Sequence, residues 1–313
     1  MYQSVPSSPS QAVQSKRQKY TVLIDTDIGD DIDDALALAL ALHSPEIELR
    51  GVTTVFGDTQ RRAQLTSHLL HVFGHQDIPV AVGIGTPLQP RHHPSGVPQA
   101  AVLGDNTFNP EAFSPLSGPE LIVQTALNHD GQLTVLCIGP LTNVALALLI
   151  EPRINLAIRS VVMMGGSSGI PLPEWNVRND VRATQIVLSS GIPMTMLGLN
   201  VTIHCQLREK DIKQLRDNGS EQTKLLSQLL TIWQKHHPCW HPRLPYLHDP
   251  LTIAALCVPE LLRFKDMEVR VLARGPFKGY MVPRVLGGSS VYAAVGVRAK
   301  EAREWVMQRL LRE

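Results

Sequence analysis

The sequence predicts an α/β fold in one domain, an open and mainly parallel sheet with helices on both faces. Three observations lead there. Short β-branched runs alternate with longer helical patterns from Tyr20 onward, with turn residues between them. Runs such as Thr134–Ile138 and Ser160–Met164 are apolar almost throughout, the pattern of strands buried on both faces in a parallel sheet. No repeat period and no Pro/Gly/Ser linker divides the 313 residues, so one core is expected rather than two.

The elements follow in order. Residues 1–19, rich in Ser, Gln and Pro, carry their basic residues at the end. A secretory signal places charge first and an apolar run after it, so this segment reads as a disordered tail and residues 20–313 as the folded domain. Apolar and β-branched runs mark strands at Thr21–Ile24, Leu49–Phe56, Val80–Val82, Leu133–Ile138, Ser160–Met164, Met194–Leu197 and Met267–Leu272. Helical periodicity falls between them near Ala35–Leu42, Arg61–Phe73, Pro119–Asn128, Asn143–Leu149, Val181–Ser190, Arg208–Trp233 and Leu251–Cys257. The proline-rich stretch Pro87–Pro98 reads as a surface loop.

Bulk properties narrow the function. A composition of 43% hydrophobic and 18% charged residues, with mean hydropathy −0.01, is that of an ordinary soluble globular protein. Twenty-nine basic residues against 28 acidic ones give a net charge of +1. No global field draws in nucleic acid or an anionic membrane, and a small, nearly neutral ligand fits better. The four cysteines are scattered without CxxC spacing, as expected of reduced thiols in the cytoplasm. The longest apolar stretch, Ala35 to Leu42, is far short of the ~20 residues that span a bilayer.

The chemistry concentrates in the loop after the first strand. Asp25, Asp27, Asp30, Asp31, Asp33 and Asp34 put six carboxylates into ten residues between a buried strand and an apolar helix. In an open α/β sheet such a loop lies at the carboxyl edge, where ligands bind. Oxygen donors without Cys or His nearby favour a hard cation, Ca2+ or Mg2+, which also relieves the repulsion among the acids. Helix capping by Asp33 or Asp34 is the alternative, but it explains two acids and not six. An EF-hand fails because the glycine and terminal Glu are misplaced, and the DxDx[TV] phosphatase pattern fails because Ile28 and Gly29 follow Asp27.

Asp27-Ile28-Gly29 and Asp33-Asp34-Ala35 resemble the two halves of the DxDxGxDDA loop of the nucleoside hydrolase family, with two extra residues between them. Further motifs follow in family order across residues 21 to 300: Val52-Thr53-Thr54-Val55-Phe56-Gly57, Gly139-Pro140-Leu141-Thr142-Asn143, Met164-Gly165-Gly166, Glu174-Trp175-Asn176 and His248-Asp249-Pro250. The resemblance implies a Rossmann-like fold and a calcium-dependent hydrolysis of ribonucleosides to ribose and free base. It places Asp27, Asp34 and Asp249 on the ion with the carbonyl of Ile138, and Asp33 on the ribose 2′-hydroxyl. Met164, Glu174 and Asn176 fall on the ribose side, and His248 where some members place a leaving-group acid. Homodimers or homotetramers are usual in the family.

Other readings stand beside these. Asp249 before Pro250 also suits a helix cap, and a lone His248 also suits a structural neighbour. Two positions depart from the family pattern: Asp58 where many members carry Asn, and Ser168 where an Asn precedes the Glu-aromatic-Asn motif. Both are carried as ribose-side candidates.

An N-glycoside breaks through an oxocarbenium-like state, which calls for an activated water, an oriented sugar and a stabilised leaving base. Asp27 is the expected general base. The segment from Trp233 to His241, with His236, His237 and Trp240, is the expected base-side source because aromatic faces stack on bases. Its His and Cys residues do not have the spacing of structural zinc sites. Two other classes remain in play: a calcium-held ribose or nucleoside binder without turnover, and a metal-dependent phosphohydrolase. The second lacks a Gly-rich phosphate loop and a basic cluster near the acids.

Overall fold

The computed structural model describes residues 19–89, 96–104, 113–169, 172–236, 243–283 and 287–312. In chain order these form β1 (Tyr20–Thr26), α1 (Asp33–Leu42), β2 (Ile47–Thr54), α2 (Thr59–Val72), β3 (Val80–Ala81), α3 (Gly118–His129), β4 (Leu133–Cys137), α4 (Thr142–Ile150), α5 (Ile154–Ala157) and β5 (Ile158–Met164). Then come α6 (Trp175–Asn179), α7 (Val181–Leu188), β6 (Met194–Leu197), α8 (Leu199–Thr202), α9 (Glu209–Asn218), α10 (Glu221–His236), α11 (Pro250–Cys257), β7 (Leu262–Val271), β8 (Met281–Pro283), β9 (Ser289–Val297) and α12 (Ala299–Leu310). A 3-10 helix covers Pro98–Leu103. The proposed tail lies outside the described residues, apart from Lys19.

One sheet runs β3-β2-β1-β4-β5-β6-β9-β7-β8. The pairs from β3 through β6 to β9 are parallel, and β7 is antiparallel to both β9 and β8. Side chains alternate between two cores, as they must when a strand is covered on both faces. Val22 and Ile24 of β1 join one core while Leu23 joins the other. Val162 and Met164 of β5 likewise oppose Val161 and Met163.

The strand order positions the site. The chain moves outward from β1 to β3, returns, and continues through β4 to β6 on the other side of β1. β1 and β4 are therefore the switch point, and the loops at their carboxyl ends enclose the crevice where open α/β sheets bind ligands. The acidic loop follows β1, and Ile138 follows β4.

The structure corrects several expected elements. The single helix Arg208–Trp233 is two helices, α9 and α10, because Gly219 sits in the left-handed region at φ 83° and ends the first. The strand expected at Met267–Leu272 begins five residues earlier and pairs antiparallel with β9. β8, β9 and α12 have no counterpart in the expected elements. Among the described residues no helix is long and apolar enough to cross a membrane.

Candidate active site

Asp33 and Asp34 open α1, but they do not cap it. The N-cap is Ile32, and no side chain caps this helix. Instead Asp34 Oδ1 accepts a hydrogen bond from Thr26 Oγ1 at 2.5 Å, and Asp33 Oδ2 accepts one from the backbone N–H of Asp249 at 3.3 Å. Asp249 is the N-cap of α11, yet its carboxylate makes no capping bond. One carboxylate oxygen from each of Asp33, Asp34 and Asp249 lies within 4.8 Å of the others, and all three residues are buried.

Burial pushes all three carboxyls well above the usual range; Asp27 raises each of them further, Asp31 adds to this at Asp33 and Asp249, and Asp33 at Asp34 and Asp249. No Lys or Arg forms an ion pair with any of them among the described residues. Three converging, dry, oxygen-only donors that repel one another suit a hard divalent cation. The residues present therefore fit the metal that the resemblance implies. The converged trio and the expected ligand trio share Asp34 and Asp249, and they differ in having Asp33 rather than Asp27.

Asp27 lines the same pocket. Burial pushes its carboxyl up to about 7, Arg62 pulls it down, and Asp30 and Glu174 raise it further. Asp25 at the end of β1 is wholly buried and also raised to about 7 by burial, while Thr53 Oγ1 and Asn143 Nδ2 donate to its Oδ1 at 2.6 and 2.7 Å.

The remaining walls come from distant parts of the chain. A cavity of about 450 Å³ is lined by Asp27, Asp30, Asp31, Asp33, Asp34, Ile138, Met164, Glu174, Asn176, His248 and Asp249, joined by Pro173, Trp175 and Leu199. This volume suits a small organic ligand. Asn176 Nδ2 donates to the carbonyls of Ile138 at 3.0 Å and Met164 at 3.2 Å, tying the ends of β4 and β5 together. The Glu174 carboxylate accepts from the backbone N–H groups of Gly166, Asn176 and Val177 at 2.7 to 2.9 Å, which fixes it at the start of α6. His248 Nδ1 bonds Thr202 Oγ1 at 2.7 Å, and no described residue bonds its Nε2. Burial lowers its pKa, with Asp31 opposing.

Four of the expected residues lie elsewhere. Asp58 is exposed and caps α2, accepting from Arg61 N at 2.9 Å. Ser168 is held by Asn200 Oδ1 through its N–H and donates to the Ala294 carbonyl, and it does not line the cavity. Trp233, 1% exposed, packs in the hydrophobic core among leucines of α10, so it is a core residue and not a base-side wall. His236 is an exposed residue at the end of α10 whose Nδ1 meets the Ile232 carbonyl. His237 and Trp240 lie outside the described residues. Sequence reasoning passed over Trp175, which is 47% exposed in the cavity wall and stands edge-on to Phe56. The clue was its place inside Glu174-Trp175-Asn176.

Fold and site together define an α/β enzyme with an acid-lined ligand pocket at the switch point of a parallel sheet. The chain belongs to the inosine-uridine preferring nucleoside hydrolase family, whose pattern it matches over residues 22–306. It is accordingly a hydrolase acting on the N-glycosidic bond of ribonucleosides. It is 34% identical over 274 residues to probable uridine nucleosidase 2 of Arabidopsis thaliana, covering 82% of this chain and 84% of that protein. It is 35% identical to the pyrimidine-specific ribonucleoside hydrolase RihA of Enterobacter sp. strain 638, with 82% and 85% covered. Among solved structures it is similar to a plant nucleoside hydrolase, PpNRh1, at TM-score 0.85 and 26% identity over 94% of this chain and 99% of that one. A purine-preferring ribonucleoside hydrolase from Gardnerella vaginalis gives TM-score 0.80 and 29% identity, with 93% and 98% covered.

Proposed function

We propose that this hydrolase is calcium-dependent and that its own side chains divide the work at the pocket. Asp34 and Asp249, with Asp27 and the Ile138 carbonyl, hold the cation. Bound there, Ca2+ would supply a more acidic water and a template for the sugar hydroxyls. Asp27, which lines the pocket beside the other acids, takes the proton of the attacking water. Asp33 accepts from the ribose 2′-hydroxyl. That role would need a place beside the residues that would hold the cation, and the 4.8 Å convergence with Asp34 and Asp249 supports it. Met164, Glu174 and Asn176 flank the ribose, and His248 donates from Nε2 to the departing base.

The observation that carries the reading is the meeting of buried, uncompensated carboxylates from two distant stretches, Asp33–Asp34 and Asp249. In water such groups would separate, so their burial together needs a purpose. Incubating the protein with uridine, cytidine, inosine and adenosine, with Ca2+ or with a chelator, and assaying reducing sugar tests it. Ribose release that the chelator abolishes is expected, with uridine a natural first substrate given the relatives' names. Release unaffected by the chelator would remove the metal, and no release from any nucleoside would favour a non-catalytic nucleoside binder. The same reading places the enzyme in the cytoplasm as a homodimer or homotetramer. Light scattering checks the assembly.

A further inference from the structure

The acidic loop between β1 and α1 presents five consecutive backbone carbonyls, from Asp27 to Asp31, and two residues accept responsibility for all of them as donors. Arg62 of α2 is wholly buried. Its Nη1 donates to the carbonyls of Asp27 and Ile28, the second at 2.8 Å. Gln99 of the 3-10 helix, also wholly buried, takes the next three. Its backbone N–H donates to Gly29 O at 3.1 Å, and its Nε2 donates to Asp30 O at 3.2 Å and Asp31 O at 2.6 Å.

The arrangement is over-determined. A flipped Gln99 amide would set its oxygen against two carbonyls, so only one orientation is stable. Arg62 Nε also donates to the Phe56 carbonyl at 2.7 Å. Phe56 occupies the left-handed region at φ 67°, a conformation a bulky residue keeps only when its surroundings hold it there. Among the described residues Arg62 Nη2 and Gln99 Oε1 are buried with no hydrogen-bond partner, so the bonds these side chains make are those to the carbonyls they grip.

We propose that Arg62 and Gln99 are positioning residues of the active site, a clamp that turns the loop's carbonyls toward the protein so that its carboxylates are presented, already ordered, to the pocket. Neither residue lines the cavity, whereas Asp27, Asp30 and Asp31 do. Backbone carbonyls turned inward leave the side chains as the groups available for a cation and a sugar. Pre-ordering of this kind governs metal affinity through groups that never touch the metal.

The test uses the full-length protein with Arg62→Lys, which keeps the charge but loses the fork, and Gln99→Leu, which removes the side-chain donor to Asp30 O and Asp31 O without altering charge. Hydrogen–deuterium exchange on metal-free protein should show about tenfold faster uptake across residues 27–34 in each folded variant, with β4 and β5 unchanged. Calorimetric titration with Ca2+ should show Kd raised about tenfold, and kcat at saturating Ca2+ should return to within about threefold of wild type. Folded variants with wild-type exchange in this segment, or with unchanged Ca2+ affinity, overturn the clamp. So does a Gln99→Leu protein that behaves as wild type should Arg62→Lys fail to fold. The Ca2+ arm rests on the metal reading above. If the wild-type protein binds no Ca2+, that reading fails and the exchange arm alone decides the clamp.

Discussion

Carboxylates gathered out of water repel one another, and the pocket gathers Asp27, Asp33, Asp34 and Asp249 in that way, with Arg62 opposing at Asp27 and Asp34. Their roles separate by mutation. Asp27→Ala should cut kcat by about 10²-fold or more while the melting temperature stays near that of wild type, because the repulsion relieved at Asp33, Asp34 and Asp249 offsets the lost attraction to Arg62. A variant turning over near the wild-type rate would strip Asp27 of the general-base role. His248→Ala should slow nucleosides with poor leaving bases far more than those with good ones, read as the spread of kcat across a panel. Equal slowing of all substrates would leave His248 without a specific part in base departure. Asp27, Asp33 and Asp34 were legible in the sequence because residue type and crowding mark them, whereas Asp249 stood out only through the resemblance carried by His248-Asp249-Pro250. Arg62 and Gln99 were not, since an ordinary Arg in an amphipathic helix and a Gln after a proline-rich stretch carry no local sign of a distant loop.

At the scale of elements, the carboxyl ends of β1 and β4 meet so closely that one side chain is forbidden between them. A Cβ on Gly139 would lie 3.0 Å from Asp27 N and Asp27 Oδ1 and 2.6 Å from a methyl of Val55. Gly139→Ala should therefore push Asp27 out of place and lower kcat by about tenfold or more, along with a stability loss of about 1–3 kcal/mol. Denaturant melts and steady-state kinetics on one sample check both. Full activity in this variant would mean that the loop yields freely. The parallel strands were readable because double-sided burial writes continuous apolar runs such as Leu133–Cys137. β9 was not, because Ser289, Ser290, Ala293, Ala294 and Gly296 have weak strand preference and pairing on both sides supplies what propensity lacks. The break between α9 and α10 was marked by Asn218-Gly219, a signal outweighed by the helical period on either side.

At the scale of the whole molecule, the buried acids tie stability to pH and to the cation. Asp25 and Asp27 are raised to about 7 by burial, so the folded protein binds their protons more tightly than the unfolded chain does. Their contribution to stability is full below the ordinary carboxylate range and is lost as pH rises through about 7. Chelator-treated protein should melt at a lower temperature at about pH 8 than at about pH 5, and added Ca2+ should recover most of the loss at the higher pH by binding the folded state alone. A melting temperature indifferent to both would count against burial of uncompensated acids. The most direct test of the account is the calcium anomalous signal from crystals grown in Ca2+ with ribose. A single peak about 2.3–2.6 Å from carboxylate oxygens of Asp34 and Asp249, with sugar hydroxyls beside it, is the expected result. Well-ordered carboxylates of Asp33, Asp34 and Asp249 with no ion among them would contradict it.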